Sequence, residues 1–236
     1  MNALILGAGF GTRLGALSVE TPKILQVIGT QTILEINVRK LFNVGVKKIF
    51  LNVHHLSNLV EKEVKRLKPE FDIELIYEQE LQGTLGTVGN LLEREGSQNL
   101  LVMHGDNYFE DNLFGLKEHF YNQIHHSFGV IATFQTANPS SAGILEFGKD
   151  GNWVDFHEKS DQDFGNIANA AIYIFNKLAS EQILQMNFVG LDISRDLIPA
   201  LVGKLSTFPL KGVFLDIGTP KNLQMAKMHR INFEQR

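Results

Sequence analysis

Ala3-Leu-Ile-Leu6 runs straight into Gly7-Ala8-Gly9-Phe10-Gly11-Thr12-Arg13-Leu14, and Pro22-Lys23 follows. An apolar strand that opens into a glycine-rich loop lets the backbone turn and approach a ligand closely. Successive N–H groups in such a loop form a concavity for an anion. Arg13 adds a planar, forked cation and Lys23 a point charge. Far downstream, a second apolar run, Asn99-Leu-Leu-Val-Met-His-Gly-Asp106, ends in a carboxylate. The first segment suits a triphosphate, and the second suits the magnesium that a triphosphate carries.

Two better-known phosphate loops do not fit. The dinucleotide fingerprint needs a third glycine where Thr12 stands, with a helix opening directly after it. The Walker pattern needs Gly-Lys-Ser/Thr, and no such triplet occurs. Taken alone, the loop also reads as a glycine-rich turn whose cations are merely solvated.

Around these segments the first half alternates strand and helix patterns. Ala3–Leu6, residues 48–53, Ile73–Tyr77 and residues 100–103 read as strands. Residues 32–44, 56–67 and a stretch around 88–93 read as helices. Such alternation predicts a mostly parallel central sheet flanked by helices. The second half changes character. Strands are expected at residues 127–134, 143–147, 153–157 and 170–175, with Lys149-Asp-Gly151 as a hairpin turn. Helices are expected near residues 179–185 and 193–202. A last helix is expected from Thr219-Pro220, where Thr caps and Pro suits the first turn. No linker, low-complexity tract or repeat appears. The expectation is one α/β domain over residues 1–236, with a nucleotide half at about 1–110 and an antiparallel, substrate-facing half at about 111–236.

Bulk properties bound the class. A chain of 236 residues, 44% of them hydrophobic, can bury a substantial core. Its net charge of -4 and pI of about 6.1 give no overall basic field for nucleic acid. Cysteine is absent, which excludes disulfides and thiolate chemistry. The apolar runs are strand-sized, and the N-terminus lacks the pattern of a signal peptide. A cytoplasmic protein with no membrane association is expected.

Gly-x-Gly-Thr-Arg-Leu followed by Pro-Lys resembles the signature of the sugar-phosphate nucleotidylyltransferases. These enzymes join a sugar 1-phosphate to the nucleoside monophosphate unit of a triphosphate. The resemblance runs along nearly the whole chain, in the family's order. Leu85-Gly86-Thr87 resembles the segment that lies against the base, and Gln79 falls near the same pocket. Gly105-Asp106 resembles the magnesium-binding strand end. Gly143 matches a glycine whose backbone contacts the sugar, and Glu158-Lys159 matches the pair that holds a sugar hydroxyl and the phosphate. Asn169-Ala-Ala-Ile-Tyr-Ile-Phe175 resembles the strand whose Asn touches the sugar. Asp216-Ile-Gly-Thr-Pro220 resembles the motif bearing the second metal carboxylate. Ala8, Gln26 and His104 depart from the usual Gly, Pro and Asn, and none of these changes removes a charged group. The long C-terminal left-handed β-helix of some members is missing, so no attached acyltransferase is expected.

The resemblance implies a GT-A-like, Rossmann-like fold and a mechanism. The sugar-phosphate oxygen attacks the α-phosphorus in line and pyrophosphate leaves. Mg²⁺ is held by Asp106 and Asp216. Arg13 binds the β/γ-phosphates, Lys23 the α-phosphoryl group and Lys159 the sugar phosphate. Glu158 and Asn169 hold the sugar. Gly7, Ala8, Gly9, Gly11 and Thr12 form the nucleotide loop, and Gly86 and Thr87 face the base or ribose. The implied partners are an NTP and a sugar 1-phosphate; a homo-oligomer stays open. The Leu-Gly-Thr and Asp-Ile-Gly-Thr-Pro segments look most like the mannose- and heptose-phosphate guanylyltransferases, which favours GTP, while Gln79 keeps UTP and dTTP open. Two rivals remain. One is nucleotidyl transfer to another phosphorylated acceptor, such as cytidylyl transfer to an alcohol phosphate. The other is a non-catalytic sensor of sugar nucleotides.

Several residues read as structural. His54-His55 and His125-His126 are adjacent pairs that diverge on a strand or helix, so neither chelates one ion easily. Residues 62–68 read as a solvated helix face. Phe42, Phe50, Phe134 and Phe175 read as core. Asp192 and Asp196 suit a helix start.

Overall fold

The computed structural model describes residues 1–9, 11–15 and 17–234. The side chains of Thr12, Leu17, Ser18 and residues 231–234 lie outside the described set. In chain order the elements are β1 (Asn2–Leu6), α1 (Leu17–Glu20), β2 (Val27–Ile28), β3 (Gln31–Thr32), α2 (Ile33–Asn43), β4 (Ile49–Val53), α3 (Ser57–Leu67) and β5 (Ile73–Tyr77). They continue with α4 (Thr84–Glu95), β6 (Leu100–His104), β7 (Asn107–Phe109), α5 (Phe114–Gln123), β8 (Gly129–Gln135), β9 (Gly143–Phe147), β10 (Trp153–Glu158) and β11 (Ile167–Phe175). Last come α6 (Lys177–Leu184), β12 (Leu205–Pro209), β13 (Phe214–Asp216) and α7 (Pro220–Glu234).

The chain divides into two units. The first comprises Met1–Leu81, Met103–Asn112 and Gly212–Arg236. Its strands β1, β4 and β5 lie in that order, with β1–β4 and β4–β5 parallel. β4 is buried at all five positions, the signature of a strand covered on both faces. Thr32 caps α2 by accepting the Glu35 N–H at 3.1 Å. A short antiparallel ladder joins β7 to β13, with Asp216 opposite Asn107.

The second unit comprises Gln82–Val102 and Leu113–Lys211. Its strands run in the order β10-β9-β11-β8-β12. β8–β11 and β9–β10 are antiparallel, and β12 joins β8 in parallel. The fold class is thus the expected one, a mostly parallel sheet flanked by helices with an antiparallel portion. Among the described residues, no helix is long and apolar enough to cross a membrane.

Two local expectations need correction. The helix expected over residues 193–202 is instead a π-type turn, Ile193–Leu197, followed by a 3-10 turn, Pro199–Leu201. Pro199 has no N–H to continue a helix. Phe42, expected in the core, is 53% exposed and sets its edge against Phe71, centroids 5.2 Å apart.

Candidate active site

In the first unit, the glycine loop is anchored from beneath by a residue that the sequence motifs do not mark. Four positions of β4 are apolar, and the other is Asn52, 4% exposed. Its Oδ1 accepts the Gly7 N–H at 2.7 Å and the Ala8 N–H at 3.3 Å, while its Nδ2 donates to Glu78 Oε1 at 2.9 Å. Position 7 leaves little room for a side chain. A Cβ there would lie 2.8 Å from Leu51 Cδ1 and 3.0 Å from the Asn52 carbonyl oxygen. The Gly9 N–H also turns inward, to the Gly7 carbonyl. The N–H groups of Gly7, Ala8 and Gly9 therefore serve the loop's own shape. Gly11, at φ +69°, continues the loop into the 3-10 turn Thr12–Leu14. The signal for Asn52 was available: a lone polar residue in Ile49-Phe-Leu-Asn-Val53, since a buried amide in a strand demands partners.

Lys23 opens a 3-10 turn, Lys23–Leu25, after Pro22. Its Nζ lies 3.1 Å from Asp106 Oδ2, with the two side chains only 15% and 19% exposed. Ile24 explains how the two segments meet. It is 2% exposed, and its side chain would touch a Cβ at Gly7 and another at Gly105, at 3.0 and 2.8 Å. One isoleucine thus packs between the two glycines and carries Lys23 to the strand end. The backbone on either side of Asp106 is braced by Asn37, fully buried, whose Nδ2 donates to the carbonyls of Gly105 and Asn107 at 3.2 Å each. Gln26, where the family usually has proline, is 8% exposed and donates to the Thr21 carbonyl.

The second carboxylate enters through the β7–β13 ladder. The Ile217 N–H donates to the Asp106 carbonyl at 3.0 Å. Asp216 Oδ1 accepts the Gly218 N–H at 2.7 Å, and its carbonyl accepts from Asn222 Nδ2 at 2.7 Å. Arg13 Nη2 lies 3.5 Å from Asp216 Oδ2. A Cβ at Gly218 would sit 2.7 Å from Asp216 Oδ1 and 3.2 Å from Arg13 Nη2. Thr219 caps α7 through the Asn222 N–H. Arg13, Lys23, Asp106 and Asp216, from four separate stretches of sequence, thus form two ion pairs linked by one backbone hydrogen bond. Gln79 is exposed on the segment after β5.

In the second unit, Glu158 stands opposite Gly143 across the β9–β10 ladder. A Cβ at Gly143 would fall 2.6 Å from Glu158 Oε2 and 2.4 Å from the Phe156 ring. Lys159 Nζ is 3.5 Å from Glu158 Oε1. Lys159 adopts φ +51°, a left-handed conformation that a side chain adopts only under constraint. Its N–H is held by the Ala142 carbonyl at 3.1 Å. Asn169 sits where the β8–β11 register shifts. Its Nδ2 donates to Tyr173 Oη at 2.7 Å and Ser194 Oγ at 3.2 Å, and its Oδ1 accepts the Ala171 N–H. Burial pushes the Tyr173 phenol well above its ordinary range, so it stays a neutral partner.

Gly86 and Thr87 lie in the first turns of α4. A Cβ at Gly86 would meet the Phe188 carbonyl at 3.3 Å. Thr87 is 3% exposed, and its hydroxyl donates to the Gly83 carbonyl at 3.1 Å. That bond gives Thr87 a role in fixing the first turn of α4. Asp192 is structural as well: it accepts from Thr84 Oγ1 at 2.8 Å and from the Ser194 and Arg195 N–H groups.

Comparison with known proteins extends this geometry. The sequence model for the nucleotidyl transferase family matches residues 2–232. A Sulfolobus acidocaldarius protein, provisionally named a mannose-1-phosphate guanyltransferase, is 30% identical over 242 residues, covering 99% of this chain and 63% of its own length. The mannose-1-phosphate guanylyltransferase catalytic subunit beta of Drosophila pseudoobscura pseudoobscura is 30% identical over 229 residues, covering 94% of this chain and 60% of its own. The chain thus spans less than two thirds of the length of these relatives. A solved Bacillus anthracis structure, provisionally named a glucose-1-phosphate thymidylyltransferase, matches with a TM-score of 0.87 at 21% identity. It covers 98% of this chain and 95% of that one, a likeness of fold.

Proposed function

This chain belongs to the nucleotidyl transferase family, and from that membership we propose that it transfers a nucleoside monophosphate from an NTP to a sugar 1-phosphate, with GTP as the preferred donor. The observation that carries the reading is the linked pair of ion pairs, Lys23–Asp106 and Arg13–Asp216. Stability alone is a weak reason for either pair: the exposed Arg13–Asp216 pair contributes about 0–1 kcal/mol, and for the largely withdrawn Lys23–Asp106 pair the cost of desolvation offsets much of the attraction. Two cations and two carboxylates gathered beside a glycine loop suit a metal–triphosphate, which would take over both sets of charges.

The reaction needs no general base, because a phosphate monoester is already anionic at neutral pH. One oxygen of the sugar 1-phosphate forms a bond to the α-phosphorus, the bond from that phosphorus to the bridging oxygen breaks, and pyrophosphate leaves. Catalysis then rests on positioning and charge neutralisation. Lys23 neutralises the α-phosphoryl group. Arg13, 59% exposed at its side chain and so open to a ligand from solvent, binds the β/γ-phosphates and the departing pyrophosphate. Lys159 grips the sugar phosphate, while Glu158, Asn169 and the Gly143 backbone orient the sugar. Gly7, Ala8, Gly9, Gly11, Thr12, Gln79, Gly86 and Thr87 contact the nucleotide, the Thr87 hydroxyl also fixing the first turn of α4.

Asp106 and Asp216 fit a divalent cation. Both offer hard carboxylate oxygens, and each is compensated by a cation that the substrate could displace. Magnesium takes one or two carboxylates with substrate phosphates and waters, so we assign Mg²⁺ to this pair. Bound there, it supplies charge neutralisation at the phosphate oxygens. GTP is favoured by the Leu85-Gly86-Thr87 segment and by the guanylyl transfer named for the relatives. We read residues 1–236 as one nucleotidyltransferase domain.

The test is a matrix of the four NTPs against several sugar 1-phosphates, scored by pyrophosphate release with Mg²⁺. The strongest response is expected from GTP with mannose 1-phosphate. A flat response across the NTPs would remove the preference for GTP, and nucleotide binding without pyrophosphate release in any combination would make the chain a sensor.

A further inference from the structure

In the β9–β10 hairpin, Glu146 lies directly opposite Asp155. Like charges in that relation repel, and the hairpin creates the pairing by a specific device. The register shifts between Trp153 and Asp155, and the intervening Val154 is 50% exposed. The bulge brings Asp155 onto the face of Glu146, and His157, two residues further along the strand, shares that face. His157 Nε2 is 2.7 Å from Glu146 Oε2 and 3.8 Å from Asp155 Oδ2. One donor atom from each of the three residues falls within 4.8 Å of the others.

The donors are also held in orientation. Phe164 stacks on the His157 ring, with centroids 3.4 Å apart and planes 6° from parallel. Asp155 Oδ1 accepts the Phe156 N–H at 2.7 Å, which turns Oδ2 toward the histidine. Trp153 Nε1 donates to the Asp155 carbonyl at 2.6 Å and fixes the bulge.

We propose that Glu146, Asp155 and His157 form a binding site for a borderline divalent transition metal, Zn²⁺ being the ion this donor set fits, and that the bound ion pins the β9–β10 hairpin. Tetrahedral zinc with bonds of roughly 2.0–2.2 Å sets its ligand atoms about 3.4 Å apart. The 2.7 and 3.8 Å separations to Nε2 bracket that spacing, so small side-chain rotations complete the site. An imidazole beside two carboxylates favours zinc over magnesium, which prefers oxygen throughout. Three protein ligands leave the fourth position to water. The ion would neutralise the two opposed carboxylates more fully than the Glu146–His157 hydrogen bond does alone. This site shares no residue with the Lys23–Asp106 and Arg13–Asp216 cluster, so it stands whether or not the transfer reaction does.

The test is calorimetric titration of ZnCl₂ into the full chain, with millimolar Mg²⁺ present to fill hard-oxygen sites. The expected result is one tight equivalent at micromolar affinity, with a thermal midpoint that rises on adding Zn²⁺ but not on adding further Mg²⁺. His157→Ala and Glu146→Gln should each weaken binding on the order of tenfold or more. The Glu146 side chain is 40% exposed, so its variant keeps the test usable if the loss of His157 perturbs folding. Asp106→Asn should leave the isotherm in place. Zinc binding no tighter than millimolar, an isotherm untouched by both hairpin variants, or one abolished by His54→Ala or Asp106→Asn instead, overturns the proposal.

Discussion

Lys23 Nζ lies 3.1 Å from Asp106 Oδ2 with both side chains largely withdrawn from water, and Ile24 packs against Gly105 while Asn37 ties the backbone on either side of Asp106. The pair is therefore positioned by packing. Lys23→Ala and Asp106→Ala are expected to fold and to lose about 10²–10³ in kcat, the scale of deleting one preorganised electrostatic contact. Pyrophosphate release under saturating substrate measures the loss, and circular dichroism checks the fold. Wild-type turnover in either variant would remove that residue from the proposed chemistry.

Asn52 holds the mouth of the glycine loop through two N–H groups. Asn52→Leu keeps the approximate volume but leaves those donors without their acceptor, at a cost of about 1–3 kcal/mol. The midpoint of urea unfolding should fall accordingly, and the KM for the nucleotide should rise more than kcat falls, because the loop shape is lost while the charged groups remain. Asn52→Asp supplies the acceptor again but sets a carboxylate against Glu78 Oε1, so it is Asn52→Asp combined with Glu78→Gln that should restore much of the loop. Unchanged KM in the Leu variant would reduce Asn52 to a structural role.

Much of this architecture was legible in the sequence. β1, β4, β5, β9 and α2 have local signals, in apolar runs, helical periodicity and caps, and the motifs located the charged residues. The β7–β13 ladder was not legible. It consists of two three-residue strands far apart in the chain, and neither carries a pattern of its own. Yet this ladder brings Asp216 beside Asp106. The lone polar position of Asn52 in an apolar strand signals a buried amide, but the partners of Asn37 and Asn52 are distant in sequence, so which groups they hold appears only in the fold. The non-helical course of residues 193–201 depends on Asp192 capping the turn and on Pro199, a competition that apolar periodicity does not register.

Lys159 holds φ +51°, a conformation costing a side-chain-bearing residue roughly 1–2 kcal/mol. Lys159→Gly relieves that strain and removes the ammonium. It should raise stability by up to about 1 kcal/mol, net of glycine's greater entropy loss on folding, while weakening sugar 1-phosphate binding. Lys159→Ala keeps the strain and loses the charge, so it should lose the same binding without the gain in stability. Thermal midpoints and the acceptor KM of the two variants separate the effects. Equal midpoints would show that the left-handed backbone carries no strain.

Lys40 gives a pH-dependent signature of the first unit. Its ammonium donates to the carbonyls of Glu110 and Asp111 at 3.2 and 2.6 Å, over the Phe109 ring at 4.6 Å. Burial pushes its pKa down from 10.5 to about 8, with Asp111 opposing the shift and Arg230 adding to it. Between those values the unfolded chain binds the proton and the folded chain does not, so stability rises with pH across that window. Below about pH 8 both states are protonated and the full penalty of burying the charge applies. That penalty is at most about 3–4 kcal/mol, taking roughly 1.36 kcal/mol per pKa unit, and it is relieved as pH climbs toward 10.5. Lys40→Met removes the titration and keeps an apolar stem of similar length. The difference in unfolding free energy between wild type and Lys40→Met, measured by urea denaturation from pH 7 to 10.5, should therefore shift in favour of wild type as pH increases. A difference that stays constant, or moves the other way, would mean that Lys40 keeps an ordinary lysine pKa despite its burial.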